Sequence, residues 1–388
     1  MNKLVQKNIY LLTIVFLGIF LRIFISKQGY NYDFPSYRIY TDLFQNGEDF
    51  YITGRYNYAP VWINVLAFLD SLPSFNLNSF DSLRIKVVSF LSLIDIFIFL
   101  ILNKLHSFKV AILFYLSPIS IFITGFHNQF DVLAIFIGFF AILIYEKNHK
   151  NLGFFVCALL LGLSLCVKHV LFLLPFWLAF KEKNFLKKIF IIFIPYSIFL
   201  ISFLSYVPEH LDSIIKNVFF YSSWDNGPFW GIFMPYFVNF FVPKKILFII
   251  SLILLGLFIH KKPIREIFYI YLIAMTVLSS AIANQYLAIP LIAIAVFWNS
   301  FYGIYTIACS LLFLVDRTAL KIGWLSDLVN WTPGYSRYSY YVIIFFLSIG
   351  FLKTLIGEKE FNKLYLKILK MIRLTIFNIK EQFTSNKW

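Results

Sequence analysis

GYNYDFPSYRIYTDLFQNGEDFYITGRYNYAPVW, residues 29–62, follows directly on a basic, apolar N-terminal run and is unlike almost everything after it. It is polar and tyrosine-rich, and it places an acid, Asp33, just past the end of a candidate membrane span. Outside this stretch the chain is dominated by long apolar runs joined by short basic turns. Of the 388 residues, 60% are hydrophobic and 14% charged, with a mean hydropathy of +0.78. Soluble domains carry roughly 25% charged residues, so the composition describes an all-α polytopic membrane protein and excludes a soluble enzyme. The first run lacks a small-residue cleavage site before the polar loop and reads as a retained span rather than a signal peptide.

A hydrocarbon core of about 30 Å takes about 20 apolar residues per helix. On that scale candidate spans fall near 8–26, 84–103, 109–125, 130–145, 151–166, 168–180, 188–206, 245–260, 264–281, 285–298, 300–315 and 339–356, about twelve in all. With the N-terminus inside, the inner segments hold about 21 Lys and Arg against about 6 acids. The outer segments hold about 12 of each, so the whole formal net charge of +15 lies on the inner face, as insertion bias requires. The basic tail, 358–388, then reads as cytoplasmic and lying against anionic lipid rather than as a nucleic-acid arm. Residues 1–357 form the membrane module.

Three outer segments are too long to be connectors: 27–83, 207–244 and 316–338. In the first, Phe34, Tyr37, Tyr40, Leu43 and Phe44 recur at helical spacing with Arg38, Asp42 and Gln45 between them. That pattern fits an amphipathic helix on the membrane surface. NYAPVWINVLAFLDSLP, residues 57–73, starts a second interfacial helix with Pro60 near its first turn. Loops carried on a rigid scaffold are where function concentrates, so the outer face is the expected working face.

The order of these features resembles the GT-C membrane glycosyltransferases that use polyprenyl-phosphate sugars. The resemblance is greatest to the group of GPI mannosyltransferase I and the actinobacterial mannosyltransferases of phosphatidylinositol mannoside synthesis. Asp33 with Tyr37, the Gly47–Tyr51 segment, and Tyr58 with Pro60 match that family's first outer loop. LRIKVVSFLSLID (83–95), GFHNQFDVLAIF (125–136), SLCVKHVLFLLPFWLAF (164–180) and NQYLAIPLIAI (284–294) are similar to its later steps, in order. There are two departures. Ala59 stands where the family often has a first proline, and Phe34 follows Asp33 where other GT-C branches carry an acid pair. The missing pair argues against a metal held by loop acids, and no metal or other cofactor is expected.

The resemblance implies transfer of a hexose, mannose by default, from a polyprenyl-phosphate sugar to a hydroxyl of a lipid-linked glycan or glycolipid. Transfer would take place on the extracytoplasmic face of the cell membrane (the lumenal face in a eukaryote), with inversion. A carboxylate at the water–membrane boundary suits the general base, a role worth about 10²–10⁴-fold. Asp33 has two readings, an N-cap for the helix beginning at Phe34 or that base, and the resemblance favours the base. His127, Asn128, Gln129 and Asp131 read either as a sugar- or acceptor-binding cluster or as a solvated turn with Asp131 favoured by a helix dipole. Lys168 and His169 interrupt an apolar stretch where charge is expensive. Lys168 reads as a point charge for the carrier phosphate or as a snorkelling lysine.

Arg22, Arg38, Arg55 and Arg84 are further candidates for phosphate contact, and Gln285 and Tyr286 for the cavity wall. Asp95, mid-span, reads as structural. Trp224, Asp225 and Asn226 read as a sugar-facing loop or as an interfacial aromatic anchor. His106 and His149 fall in inner basic turns and read as solvated, and Cys157, Cys166 and Cys309 as packing residues. The sequon Asn330–Trp331–Thr332 is expected by chance. No phosphate-loop, dinucleotide or Cys/His metal spacing is present, and no nucleic acid is expected as a partner. The competing functions are a lipid-glycan polymerase, whose large late loop with paired arginines is missing, and a transporter or flippase for a lipid-linked saccharide, which would show internal repeats.

Overall fold

The computed structural model describes residues 3–74, 77–147, 151–221, 227–234, 243–316, 318–329 and 332–385. Among these residues the chain is helical throughout, with no strand. The helices are α1 (Lys3–Ser26), α2 (Asp33–Gln45), α3 (Val61–Ser71), α4 (Ser79–Leu105), α5 (Phe108–Tyr115), α6 (Pro118–Phe122) and α7 (Asp131–Lys147). After them come α8 (Asn151–Val167), α9 (Leu174–Lys181), α10 (Phe185–Ile201), α11 (Leu211–Ile214), α12 (Pro228–Phe233) and α13 (Lys244–Ile259). The chain ends with α14 (Ile264–Val277), α15 (Leu291–Val296), α16 (Ser300–Val315), α17 (Gly323–Leu328), α18 (Pro333–Ile356) and α19 (Glu358–Ser385).

Four of these stretches are long and apolar enough to cross a membrane: Asn8–Ser26, Ser79–Leu105, Phe185–Tyr206 and Arg337–Ile356. A fifth arises if Phe108–Tyr115 and Pro118–His127, bent by 42°, are one broken span. Every one of the twelve expected segments falls on helix, but most of the helices are too short to count as spans by themselves. The physical causes are local. Pro118 interrupts the expected 109–125 span, and a π turn, Ile123–His127, ends it. Pro290 divides 285–298 into a 3-10 turn, Asn284–Ala288, and the one-and-a-half turns of α15.

The distribution of polarity is that of a molecule solvated by lipid. Phe16, Phe193 and Phe258 are 69%, 66% and 77% exposed, while Arg22 and Asp95 are 0% and 1% exposed. Water would favour the reverse arrangement, whereas a bilayer tolerates outward phenylalanine and drives charge inward to find partners. Arg22 Nε lies 3.0 Å from Asp95 Oδ2. Arg22 also donates to Gly18 O, Tyr115 O and Ser120 Oγ, and Thr124 Oγ1 donates to Asp95 at 2.8 Å. Through Oδ2 Asp95 joins α4 to α1, α6 and the turn after it, and Arg22 is not available to a phosphate.

Two further groups of polar contacts stand out, one at each end of the bundle. At one end His106 Nε2 meets Tyr269 OH at 2.9 Å, Arg265 pairs with Glu146 at 2.5 Å, and Lys181 Nζ reaches Lys262 O at 2.7 Å. All of these belong to segments expected inside. His106 is exposed, as expected of a basic turn, and makes one hydrogen bond to Tyr269. Residues from segments expected outside, 29–62, 127–131, 168, 284 and 318, meet one another at the other end.

Candidate functional site

The outer end is organised around α2. Its apolar face does not lie on lipid, as the surface-helix expectation had it, but inside the protein. Phe34, Tyr37 and Tyr40 are all buried, and Tyr37 packs edge-on against both Trp62 of α3 and Phe130. Trp62 and Phe130 stack in parallel, 4.1 Å apart. The polar face turns to α3: Arg38 holds Asp70 at 2.9 Å and also pairs with Asp42, and Gln45 donates to Asp70 at 3.0 Å. Arg38 thus spends its charge on two carboxylates of its own loop and stands apart from the cluster below.

Asp33 opens α2, but its side chain does not cap it. Asn31 does that work: its Oδ1 accepts from Asp33 N at 3.0 Å and its carbonyl accepts from Phe34 N at 3.1 Å. The Asp33 carboxylate is left free for Gln129, whose Nε2 donates to Oδ2 at 2.6 Å. Gln129 Oε1 in turn accepts from Lys168 Nζ at 3.4 Å, and Lys168 Nζ lies 2.6 Å from Asp131 Oδ2. The amide has one workable orientation, because the flipped one would set oxygen against carboxylate and NH2 against ammonium.

Lys168 sits in extended backbone between α8 and a 3-10 turn, His169–Leu171. Only 5% exposed, it does not snorkel. Its ammonium lies 5.1 Å over the Tyr58 ring and 4.8 Å over Phe130, so aromatic faces complete its surroundings. Asp131, at the first turn of α7, is buried with Oδ1 unpartnered. Asp131 pairs directly with this ammonium, and Asp33 is linked to it through Gln129. The Asp33 carboxyl is accordingly raised above its usual range, chiefly by burial. The Lys168 charge and the Gln129 hydrogen bond pull it back, and Asp131 pushes it up.

His169 is solvent-exposed, its ring 6.3 Å from that of Tyr58. Tyr286, half-buried, lies within electrostatic reach of Lys168, Tyr58, Asp131 and Tyr221. Burial first, and then Asp33 and Asp131, hold the Tyr58 phenol well above its ordinary value, so Tyr58 is a neutral hydrogen-bonding group. Asp33, Gln129, Asp131, Lys168, His169 and Tyr286 of the expected set therefore come together, with Tyr58 added.

Arg55 is exposed at the rim, its Nη1 3.1 Å from Ser36 Oγ and its guanidinium 5.2 Å over the Tyr32 ring. It has no carboxylate partner among the described residues. Arg84 holds the end of α1, donating to Ser26 O and Gly29 O, which removes it from the phosphate candidates.

Behind the cluster lies a second network that sequence reasoning missed. Asn31 Nδ2 donates to Thr318 O at 3.0 Å and meets His127 Nδ1 at 2.8 Å. Since Oδ1 already faces a backbone N–H, Nδ2 is the donor. His127 Nδ1 accepts, and its proton sits on Nε2, which is buried without a protein partner. Thr318 receives Asn284 Nδ2 at 2.9 Å, and Tyr340 OH donates to Asn284 Oδ1 at 2.6 Å. His127 is thus a strut of this network and does not touch the Asp33 carboxylate. Asn128 is the left-handed hinge between them, at φ 57°, with its amide folded back on Thr124 O and Gly125 O.

Trp224, Asp225 and Asn226, His149, and Asn330 and Trp331 of the sequon lie outside the described residues. Cys157, Cys166 and Cys309 are buried free thiols. Among the described residues no cluster of three His, Cys, Asp or Glu side chains is arranged to hold a metal. Comparison with protein-family models and with curated proteins returned no match to this chain.

Proposed function

We propose that the chain is a membrane glycosyltransferase of GT-C type, with about twelve membrane passes and its working face outside the cell membrane. It moves a hexose, mannose by preference, from a polyprenyl-phosphate sugar to a hydroxyl of a lipid-linked glycan or glycolipid. The observation that carries this reading is the Asp33–Gln129–Lys168 chain. It is a carboxylate of raised proton affinity, tied through Gln129 to a buried cation, with Tyr58 and Tyr286 close by.

In the proposed reaction Asp33 takes the proton of the acceptor hydroxyl as its oxygen attacks the anomeric carbon. The bond from that carbon to the phosphate oxygen breaks on the opposite side, so configuration inverts and polyprenyl phosphate leaves with the electron pair. A base above the ordinary carboxylate range is better matched to neutral pH than a free aspartate. Lys168 and Arg55 are the cations for the departing phosphate, and His169 is a further group for binding the donor. The same scheme needs no metal, and transfer is expected to persist in EDTA.

Membranes carrying the protein, given a panel of labelled polyprenyl-phosphate sugars, test it. One label is expected to be consumed, and Asp33→Asn is expected to reduce transfer by about 10² or more with expression unchanged. Full transfer by Asp33→Asn removes the base from the mechanism.

The broken helices at Pro118 and Pro290, beside buried ion pairs, are features shared with transporters, and a flippase for a lipid-linked saccharide is the second reading. In that case the label moves between leaflets and is not transferred.

A further inference from the structure

We infer that α19 is an interfacial helix that docks on the anionic surface of the bilayer crossed by α18. The inference rests on α18 being a span, not on the proposed reaction. α18 carries the apolar stretch Arg337–Ile356 and ends at Gly357, whose φ of 82° breaks the helix. α19 begins at the next residue and runs 28 residues to Ser385, about 42 Å at 1.5 Å per residue. Lys353 pairs with Glu358 at 2.7 Å across the break, fastening the start of α19 to the end of the span. A helix turned aside at the end of a membrane span has the headgroup layer as its nearest neighbour.

Its two arcs differ in chemistry. Phe361, Leu364, Tyr365, Ile368 and Met371 form one row, and the register continues through Ile372, Ile376 and Ile379. Phe361 is covered by protein, its ring 5.7 Å from that of Phe301 on α16. Further along the row the protein ends, and Tyr365, Ile368 and Met371 are 51%, 46% and 59% exposed. The row therefore starts on the bundle and continues with no cover from the described residues.

Lys359, Lys363, Lys367 and Lys370 occupy the other arc. Of the two acids near them, Glu358 is held by Lys353 and Glu360 by Lys363 at 2.7 Å. Lys359, Lys367 and Lys370 have no carboxylate partner among the described residues. A lysine arc flanking an exposed apolar row fits acyl chains below and anionic headgroups around. A second copy of the helix on the same row would bring two lysine arcs together.

Full-length protein in nanodiscs holding one chain each tests the inference, with zwitterionic lipid compared with lipid of about 30% anionic content. Tryptic cleavage after Lys363, Lys367 and Lys370 is expected to slow about tenfold or more in the anionic discs. That protection should weaken at about 1 M salt, where the Debye length is about 3 Å. The double variant Ile368→Ser/Met371→Ser, which keeps every tryptic site and adds no acid beside one, is expected to lose the protection in anionic discs. Equal cleavage in both lipids overturns the inference. So does protection that appears only when two chains share a disc, which would assign the row to a second copy. Cleavage is read without any sugar transfer, so failure of one proposal leaves the other standing.

Discussion

At the scale of single residues, Gln129 and Asp131 act on Asp33 in opposite directions. The Gln129 amide stabilises the charged carboxylate, and the Asp131 charge destabilises it. Gln129→Leu removes a hydrogen bond to the anion, so the Asp33 pKa is expected to rise. Asp131→Asn removes a like charge and leaves Lys168 to Asp33 alone, so that pKa is expected to fall. If Asp33 must be ionised to act, the acidic limb of the pH–rate profile follows it. The limb lies above the ordinary aspartate range in the parent, moves to higher pH in Gln129→Leu and to lower pH in Asp131→Asn. Carbodiimide labelling of the protonated Asp33 carboxyl, read by mass spectrometry against pH, reports the same two shifts without an assay of transfer. Two variants moving the same way would break the argument. Sequence could bring the acids and the lysine into view, because charge in an apolar stretch is conspicuous. It could not exclude the cap reading of Asp33, because the acceptors at the start of α2 belong to Asn31, two residues upstream and unremarkable in a polar loop.

Among the elements, α1, α4 and the broken α5–α6 pair are joined by Arg22 and Asp95. Both charges are out of water, so each depends on the other. Arg22→Leu strands Asp95 and is expected to cost about 3–5 kcal/mol, seen as a large fall in thermal stability in detergent. Arg22→Leu/Asp95→Leu removes both charges and is expected to recover much of that loss. A double variant no better than the single one would show that the neighbouring groups, Ser120 and Thr124, carry the junction instead. Close packing adds to the same joint: a Cβ on Gly125 would stand 2.6 Å from Arg22 O, so α1 and the π turn meet backbone to backbone. The sequence showed each of these helices as an apolar run, since hydropathy alone marks them. It did not show where they break, because Pro118 and Pro290 are compatible with either a kinked span or two separate helices. Nor did it show that α2 turns inward. Its aromatic face suits lipid and protein equally, and only the stacking of Trp62 on Phe130, residues from distant parts of the chain, supplies the protein surface.

Over the whole molecule, the sorting of polar contacts to two ends matches the charge asymmetry of the sequence. The sequence-derived inner segments, rich in Lys and Arg, supply one end, and the balanced outer segments supply the other. Together they make a sharp expectation. Ile52, 71% exposed in the first long loop, and Lys183, exposed between α9 and α10, lie in segments assigned to opposite faces. The three native cysteines are buried, so they give little background to a thiol reagent. In intact cells a membrane-impermeant maleimide is expected to label Ile52→Cys, and to label Lys183→Cys only after permeabilisation. The reverse pattern would place Asp33 on the side that holds nucleotide sugars and would remove the reason for a lipid-borne donor. Labelling of both in intact cells would mean that fewer helices cross than proposed, because an odd number of crossings between the two positions is what separates them.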